Sequence, residues 1–152
     1  VLHALATGVA VEGAVAISAP AWLEEEPATE AMQRLKRHWE SPVSRAGMRL
    51  ALGVRVVSPR RWRHPGHPRE FVRDVTAPLL VVHGVDDAYF PVADAETLVD
   101  AAPDARLWVE PDGFGHAEDG FTPDFSARLG RAVADLPARG GFPDRAGSLE
   151  AP

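Results

Sequence analysis

The 152-residue sequence contains no cysteine, one tyrosine and two methionines. Without cysteine there is no disulfide scaffold, no thiolate metal site and no cysteine nucleophile. The absence fits a reducing compartment, and a cytoplasmic location is the expectation. No apolar run approaches the roughly 20 residues that a membrane helix needs, which argues against a spanning segment. Positive charge is in deficit: 16 Lys and Arg stand against 22 Asp and Glu, a net charge of -6. Such a balance gives no support to general nucleic-acid binding. The chain opens on Val1-Leu2-His3 with neither a methionine nor a signal or basic targeting segment, which points to processing or to a longer parent protein.

What is present describes a globular domain. Hydrophobic residues make up 45% and charged residues 25%, and the length suits one domain able to bury a core. Glycine (13) and proline (14) are spread along the chain rather than massed in one tract, as expected of many turns joining short elements.

Periodicity and punctuation place those elements. Residues 1–7 read as the end of a helix stopped by Gly8. Residues 14–18 (AVAIS) are short, apolar and followed by Ala19-Pro20, the pattern of a strand buried on both faces. Met32, Leu35 and Trp39 predict a helix over 28–40. A second helix starts at Ser41-Pro42, a cap followed by a first-turn proline, with Ala46, Leu50, Val54 and Val57 along one buried face and Ser58-Pro59 as its end. Residues 59–69 hold three prolines and no period, which predicts a loop. The strongest strand is 79–83 (LLVVH), and a third is 105–109 (ARLWV). Between them Pro91 opens a helix that ends before Pro103. Thr122-Pro123 repeats the cap-and-proline signal for a helix burying Phe125, Leu129, Val133 and Leu136. Residues 138–152 lose the apolar period and read as a disordered tail.

Alternating strands and helices predict an α/β fold, a parallel sheet with helices on both faces. Ligand sites of such sheets lie beyond the carboxyl ends of the strands, here segments 19–22, 84–91 and 110–119. Segment 84–91 (GVDDAYFP) carries carboxylates, and segment 110–119 (EPDGFGHAED) carries an imidazole. An acid on one loop and a histidine on the next are what a general base needs, because the acid fixes the ring tautomer and stabilises the imidazolium. The glycines let both backbones turn sharply and approach closely.

At these residues the chain resembles the α/β-hydrolase family. That family carries an acid in the pattern G-x-x-D-x-x-x-P after one strand and a histidine, often Gly-His, after the next. Gly84 to Pro91 fits the first pattern with Asp87 as the acid, and Gly115-His116 fits the second. The resemblance covers about residues 1–137 and implies a partial parallel sheet, strands six to eight of the family, with a helical lid inserted over about 21–70. It implies that Asp87 orients His116 and that His116 serves first as general base and then as general acid. Asp86 is the neighbouring carboxylate, and the G-x-x-D spacing favours Asp87. Trp22, Tyr89, Phe90 and Phe114 flank the implied site and are candidates to line an apolar acyl pocket, with core packing as their alternative role. The implied reaction is cleavage of an ester, thioester or related acyl bond of a small-molecule substrate, with no cofactor.

One family feature is missing. No G-x-S-x-G nucleophile elbow occurs in the sequence. Ser18 ends a strand, yet the Ala19-Pro20 that follows does not turn into a helix as the elbow does. The resemblance therefore implies that the nucleophile and both oxyanion donors lie upstream of Val1. The alternative is a non-catalytic fragment or an interaction module with a hydrolase-like fold.

Other roles compete for the same residues. Asp87 before a helix is also a capping carboxylate, and His116 is also an ordinary loop histidine. His83 closes a buried strand and reads as structural. A metal site is disfavoured, since His64 and His67 sit in a proline-broken loop rather than on a helix that would aim both at one ion. Residues 34–73 contain eleven Lys and Arg against Glu40 and Glu70, either a solvated basic face or one that draws in an anionic substrate.

Overall fold

The computed structural model describes residues 1–23, 29–63, 65–111, 113–136 and 140–142. In chain order the elements are α1 (Leu2–Ala6), β1 (Ala14–Ile17), α2 (Glu30–Glu40), α3 (Pro42–Leu52), α4 (Pro68–Phe71), β2 (Leu79–Gly84), α5 (Val92–Ala101), β3 (Ala105–Glu110) and α6 (Pro123–Ala134). Short 3-10 turns lie at Pro59–Arg61, Val72–Asp74 and Ala117–Gly120. The chain divides into two compact units, one of Val1–Trp22 with Gly66–Pro152 and one of Leu23–Pro65.

The first unit is built on a parallel sheet of order β1-β2-β3, with Val82 of β2 opposite Ile17 of β1 and Trp108 of β3. All six residues of β2 are buried. A central parallel strand is covered on both faces, which is why this segment is a continuous apolar run. Its side chains alternate between two cores. Leu79 and Val81 join Leu2, Val72, Val75 and Leu98 on one side. Leu80 and Val82 join Trp108, Phe114, Phe125 and Leu136 on the other. Helices thus cover both faces, as the alternating pattern predicts. β1 differs from its expectation: Ala16 is buried, whereas Ala14, Val15 and Ile17 are half-buried. Among the described strands β1 has one paired neighbour, so its apolar side chains are only partly covered.

The buried stripe of α6 also departs from the prediction. Phe125, Ala132 and Leu136 are buried and Leu129 packs beside them, while Val133 is 44% exposed. Steps of four, three and four residues follow the helical turn, and they pass through position 132 instead of 133. Within the stretch expected to be a tail, Phe142 is buried in the same core; residues 143–152 lie outside the described residues.

α6 is tied to β3 by charge. The Arg128 guanidinium donates two hydrogen bonds to the buried Glu110 carboxylate, Nη1 to Oε1 at 2.6 Å and Nη2 to Oε2 at 2.8 Å. Trp108 Nε1 donates to the same carboxylate, and Arg128 lies over the Trp108 ring at 5.2 Å. The Glu110 carboxylate beside it raises the guanidinium pKa above its ordinary value.

The second unit contains α2 and α3, each capped as the sequence predicts: Thr29 accepts from Met32 N–H and Ser41 from Ser44 N–H. Trp39 Nε1 donates to Val57 O at 2.8 Å and its ring meets Trp62 edge-on, so the chain after α3 returns along α2. α3 ends earlier than predicted, because Gly53 adopts a left-handed conformation and stops it before Val54 and Val57. Its apolar face is also not buried: Val43 is 81% and Leu50 88% exposed, and Ala46 is exposed as well. Arg45 turns to the other side and donates to the Trp39 and Glu40 carbonyls at the end of α2. That bond sets the rotation of the helix, since residue 45 lies roughly 200° around from residue 43.

The Glu110–Arg128 pair yields a stability prediction. Glu110→Ala leaves a buried indole N–H without its acceptor and a largely buried guanidinium with only its Nε bond to Asp124 at 2.9 Å, and the expected loss is about 2 to 4 kcal/mol by urea unfolding. Arg34→Ala, which breaks an exposed i,i+4 pair with Glu30, should change stability by less than about 0.5 kcal/mol. Equal effects at the two sites would show that Glu110 does not anchor α6.

Candidate active site

The loops that follow β2 and β3 meet at the carboxyl ends of these adjacent strands, where an open parallel sheet places its ligand site. Gly84, the last residue of β2, makes the meeting possible. A Cβ at this position would collide with the Phe114 carbonyl oxygen and ring and come within 2.8 Å of the Gly115 carbonyl oxygen. Only a residue without a side chain lets the second loop pass so near the strand end.

Asp86 and Asp87 diverge from this point. The exposed Asp86 carboxylate accepts from Gly113 N–H at 2.6 Å and links the two loops. Asp87 turns inward and its side chain is fully buried. Its Oδ1 accepts from Tyr89 N–H at 2.8 Å and from Phe90 N–H at 3.0 Å, while Oδ2 lies 2.9 Å from His116 Nδ1. Burial by itself would raise the Asp87 pKa. The hydrogen bonds from Phe90 N–H, His116, Tyr89 N–H and the Ser18 side chain outweigh it and hold the group below its ordinary value. Asp87 is therefore ionised at neutral pH, and the His116 nitrogen facing it is the protonated one. In the neutral ring the other nitrogen, Nε2, carries the lone pair, and the His116 side chain is 26% exposed. A partly exposed imidazole with a fixed tautomer and a buried carboxylate behind it can accept a proton at Nε2.

The remaining candidates fall into different environments. The rings of Tyr89 and Phe90 stand 4.7 Å and 5.6 Å from the His116 ring. Trp22 follows β1, is 37% exposed, and packs against His67 and beneath the Arg69 guanidinium at 4.2 Å. Phe114 takes the alternative role: it is 5% exposed and packs edge-on against Phe125 at 4.9 Å inside the core. Beyond β3 the chain is no longer a strand, and Phe114 turns into the core while His116 stays partly exposed. His83 is fully buried and its Nε2 donates to the Phe90 carbonyl at 3.0 Å, a structural contact that braces the Asp87 loop. His67 caps α4, and its backbone N–H donates to the Glu70 carboxylate at 3.1 Å. His64 lies outside the described residues.

Sequence reasoning passed over Ser18 as a partner of the site. It sits at the end of β1, its Oγ accepts from Ala117 N–H at 2.9 Å, and it reaches Asp87. The only signal was its place at a strand terminus, one residue before the segment that the topology rule marks.

No protein-family model matches the chain. No curated protein sequence matches it either. Solved structures do. The chain is similar to Rv0554 of Mycobacterium tuberculosis, with 21% identity over 85% of this chain and 57% of that one, at a TM-score of 0.53. It is also similar to an esterase of Pyrococcus furiosus, with 16% identity over 91% of this chain and 47% of that one, at 0.56. A carboxylesterase of Bacillus subtilis matches with 14% identity over 84% of this chain and 52% of that one, at 0.52. These are α/β-hydrolase structures, and the likeness shows that this chain has part of the α/β-hydrolase fold. The chain spans roughly half the length of each of the three.

Two outcomes test this geometry. The Asp87 pKa is lower in the folded chain than its ordinary 3.8, so its contribution to stability is complete above that value and is lost as pH falls through the lower folded pKa. Urea unfolding between about pH 5 and about pH 2 should thus show a shallower acid loss for Asp87→Asn than for the parent chain, and identical slopes would count against an ionised buried Asp87. Gly84→Ala should lower stability by about 1 to 3 kcal/mol in thermal unfolding, because the 114–115 backbone must move away from the strand end.

Proposed function

We propose that this chain supplies the acid and the base of a serine hydrolase, with Asp87 orienting and His116 transferring protons. The observation that carries this reading is the 2.9 Å contact between buried Asp87 Oδ2 and His116 Nδ1, made by loops that follow two adjacent parallel strands. The esterases among the structural neighbours support it.

The mechanism follows from that contact. A serine hydroxyl within reach of His116 Nε2 loses its proton to the ring as its oxygen attacks an acyl carbonyl. Asp87, held ionised by its hydrogen bonds, stabilises the imidazolium and stops the ring from rotating. The same proton then passes to the leaving group, and a water molecule repeats the cycle to release the acid. The G-x-S-x-G elbow is absent from the 152 residues, so serine and oxyanion donors come from polypeptide outside them. Tyr89 and Phe90, beside the imidazole, offer an apolar wall to an ester, thioester or related acyl substrate. Trp22 is a further candidate for that wall. The Leu23–Pro65 unit, inserted between β1 and β2, is the candidate lid by its place in the chain. The chemistry uses no metal or cofactor.

A second reading, a non-catalytic interaction module, draws on the exposed apolar face of α3 at Val43 and Leu50. Turnover separates the two. The 152-residue chain should hydrolyse p-nitrophenyl acetate no faster than buffer. The product translated with the coding sequence that precedes Val1 should hydrolyse it, label with a fluorophosphonate, and lose about 1,000-fold or more in kcat/KM with His116→Ala. An upstream sequence without a nucleophile elbow, or turnover that survives His116→Ala, would overturn the hydrolase reading.

A further inference from the structure

Two non-glycine residues among those described have φ in the left-handed region, Ser18 at +51° and Ala117 at +40°. That conformation costs an L-residue about 1 kcal/mol or more and persists where surrounding contacts over-determine it. The two residues are 99 positions apart in sequence and bonded to each other, with Ala117 N–H donating to Ser18 Oγ at 2.9 Å. Ala117 directly follows His116, and Ser18 is the residue just past β1. Ser18 is itself held in place, because its own N–H donates to the Val82 carbonyl of β2 at 2.9 Å and its side chain is buried.

The hydroxyl is used on both sides. Its oxygen accepts from Ala117 N–H, which leaves its single proton free to donate to the Asp87 carboxylate. Alanine here would keep the unfavourable φ and lose both bonds. Threonine would add a β-branch where φ is positive, and glycine would accept the backbone but offer no hydroxyl. Serine satisfies the two bonds with the smallest side chain that has an oxygen. It does not resemble a nucleophile: its oxygen is engaged by Ala117 N–H, and residues 19–22 directly after it form no helix.

We propose that Ser18 is a positioning residue for the Asp87–His116 pair, clamping the segment behind His116 through Ala117 N–H and the acid through its hydroxyl proton. The proposal rests on reading Asp87 and His116 as acid and base. By this account three strand ends define one geometry: β1 gives the clamp, β2 the acid and β3 the imidazole. A loop histidine that could otherwise swing away from its carboxylate is thereby held facing it.

NMR of the isotopically labelled full chain tests this without requiring turnover. The ring nitrogen shifts of His116 report its tautomer, and a downfield Nδ1 proton reports its bond to Asp87. The parent chain should show the Nδ1–H tautomer and the downfield proton, and Asp87→Asn should abolish that proton. Ser18→Ala and Ser18→Gly should both lose or broaden it and mix the tautomers, while the β2 and β3 backbone shifts stay unchanged. Glycine relieves the strain at φ +51°, so it keeps a folded variant in hand even where alanine does not fold. A downfield proton unchanged in Ser18→Gly overturns the role of the hydroxyl and leaves the acid–base pair standing. No such proton in the parent chain overturns the pair itself, and the proposal with it.

Discussion

Strand β2 is buried over its whole length, and that burial constrains the rest of the first unit. A fully covered strand has no water for its backbone groups, so both edges must be paired, by β1 on one side and β3 on the other. Its alternating side chains then set the two cores, and the helices settle on whichever face their apolar stripes can cover. Because the strand ends in a glycine pressed against the 114–115 backbone, the loops beyond β2 and β3 cannot avoid each other. The candidate site is a consequence of how this one strand terminates.

A carboxylate with no exposure would normally be driven toward its neutral form. Asp87 escapes that outcome because four groups hydrogen-bond to it, two backbone amides from its own turn and two side chains from other strand ends. The local amides come with the turn itself. The Ser18 hydroxyl and the His116 ring come only with the sheet. An acid that is both dry and ionised gives the imidazole a fixed direction, which is the property a general base requires. Glu110 and Arg128 apply the same physics to a different end, for there the buried carboxylate is matched by a guanidinium and an indole and serves to dock a helix.

The legible parts of the fold were those encoded by short-range chemistry. Ser41-Pro42 and Thr122-Pro123 start helices because a side-chain oxygen and a proline suit a helix N-terminus wherever they occur together. The run 79–84 reads as a central strand because only such a strand tolerates unbroken apolarity. The errors share a cause too. The apolar spacing runs on through Val54 and Val57, yet a left-handed Gly53 ends the helix regardless of the spacing beyond it. The apolar residues of α3 suggest one buried face, whereas Arg45 bonding to α2 decides its rotation. Local period misplaces Val133 and Phe142 because burial depends on what packs opposite.

By itself the amino-acid sequence determined the α/β alternation, the strand and helix starts, and the order in which an acid and then a histidine follow consecutive strands. Those features depend on neighbours a few residues apart, and local propensity and spacing are enough to specify them. Tertiary structure alone decided that Asp86 links the two loops through Gly113 N–H, that Phe114 belongs to the core while Tyr89 and Phe90 stand beside His116, and that Ser18 joins residues near 87 and 117. Each of these turns on a distance of about 3 to 6 Å between groups far apart in the chain. Only the assembled sheet, with its register and strand ends in place, brings such groups together.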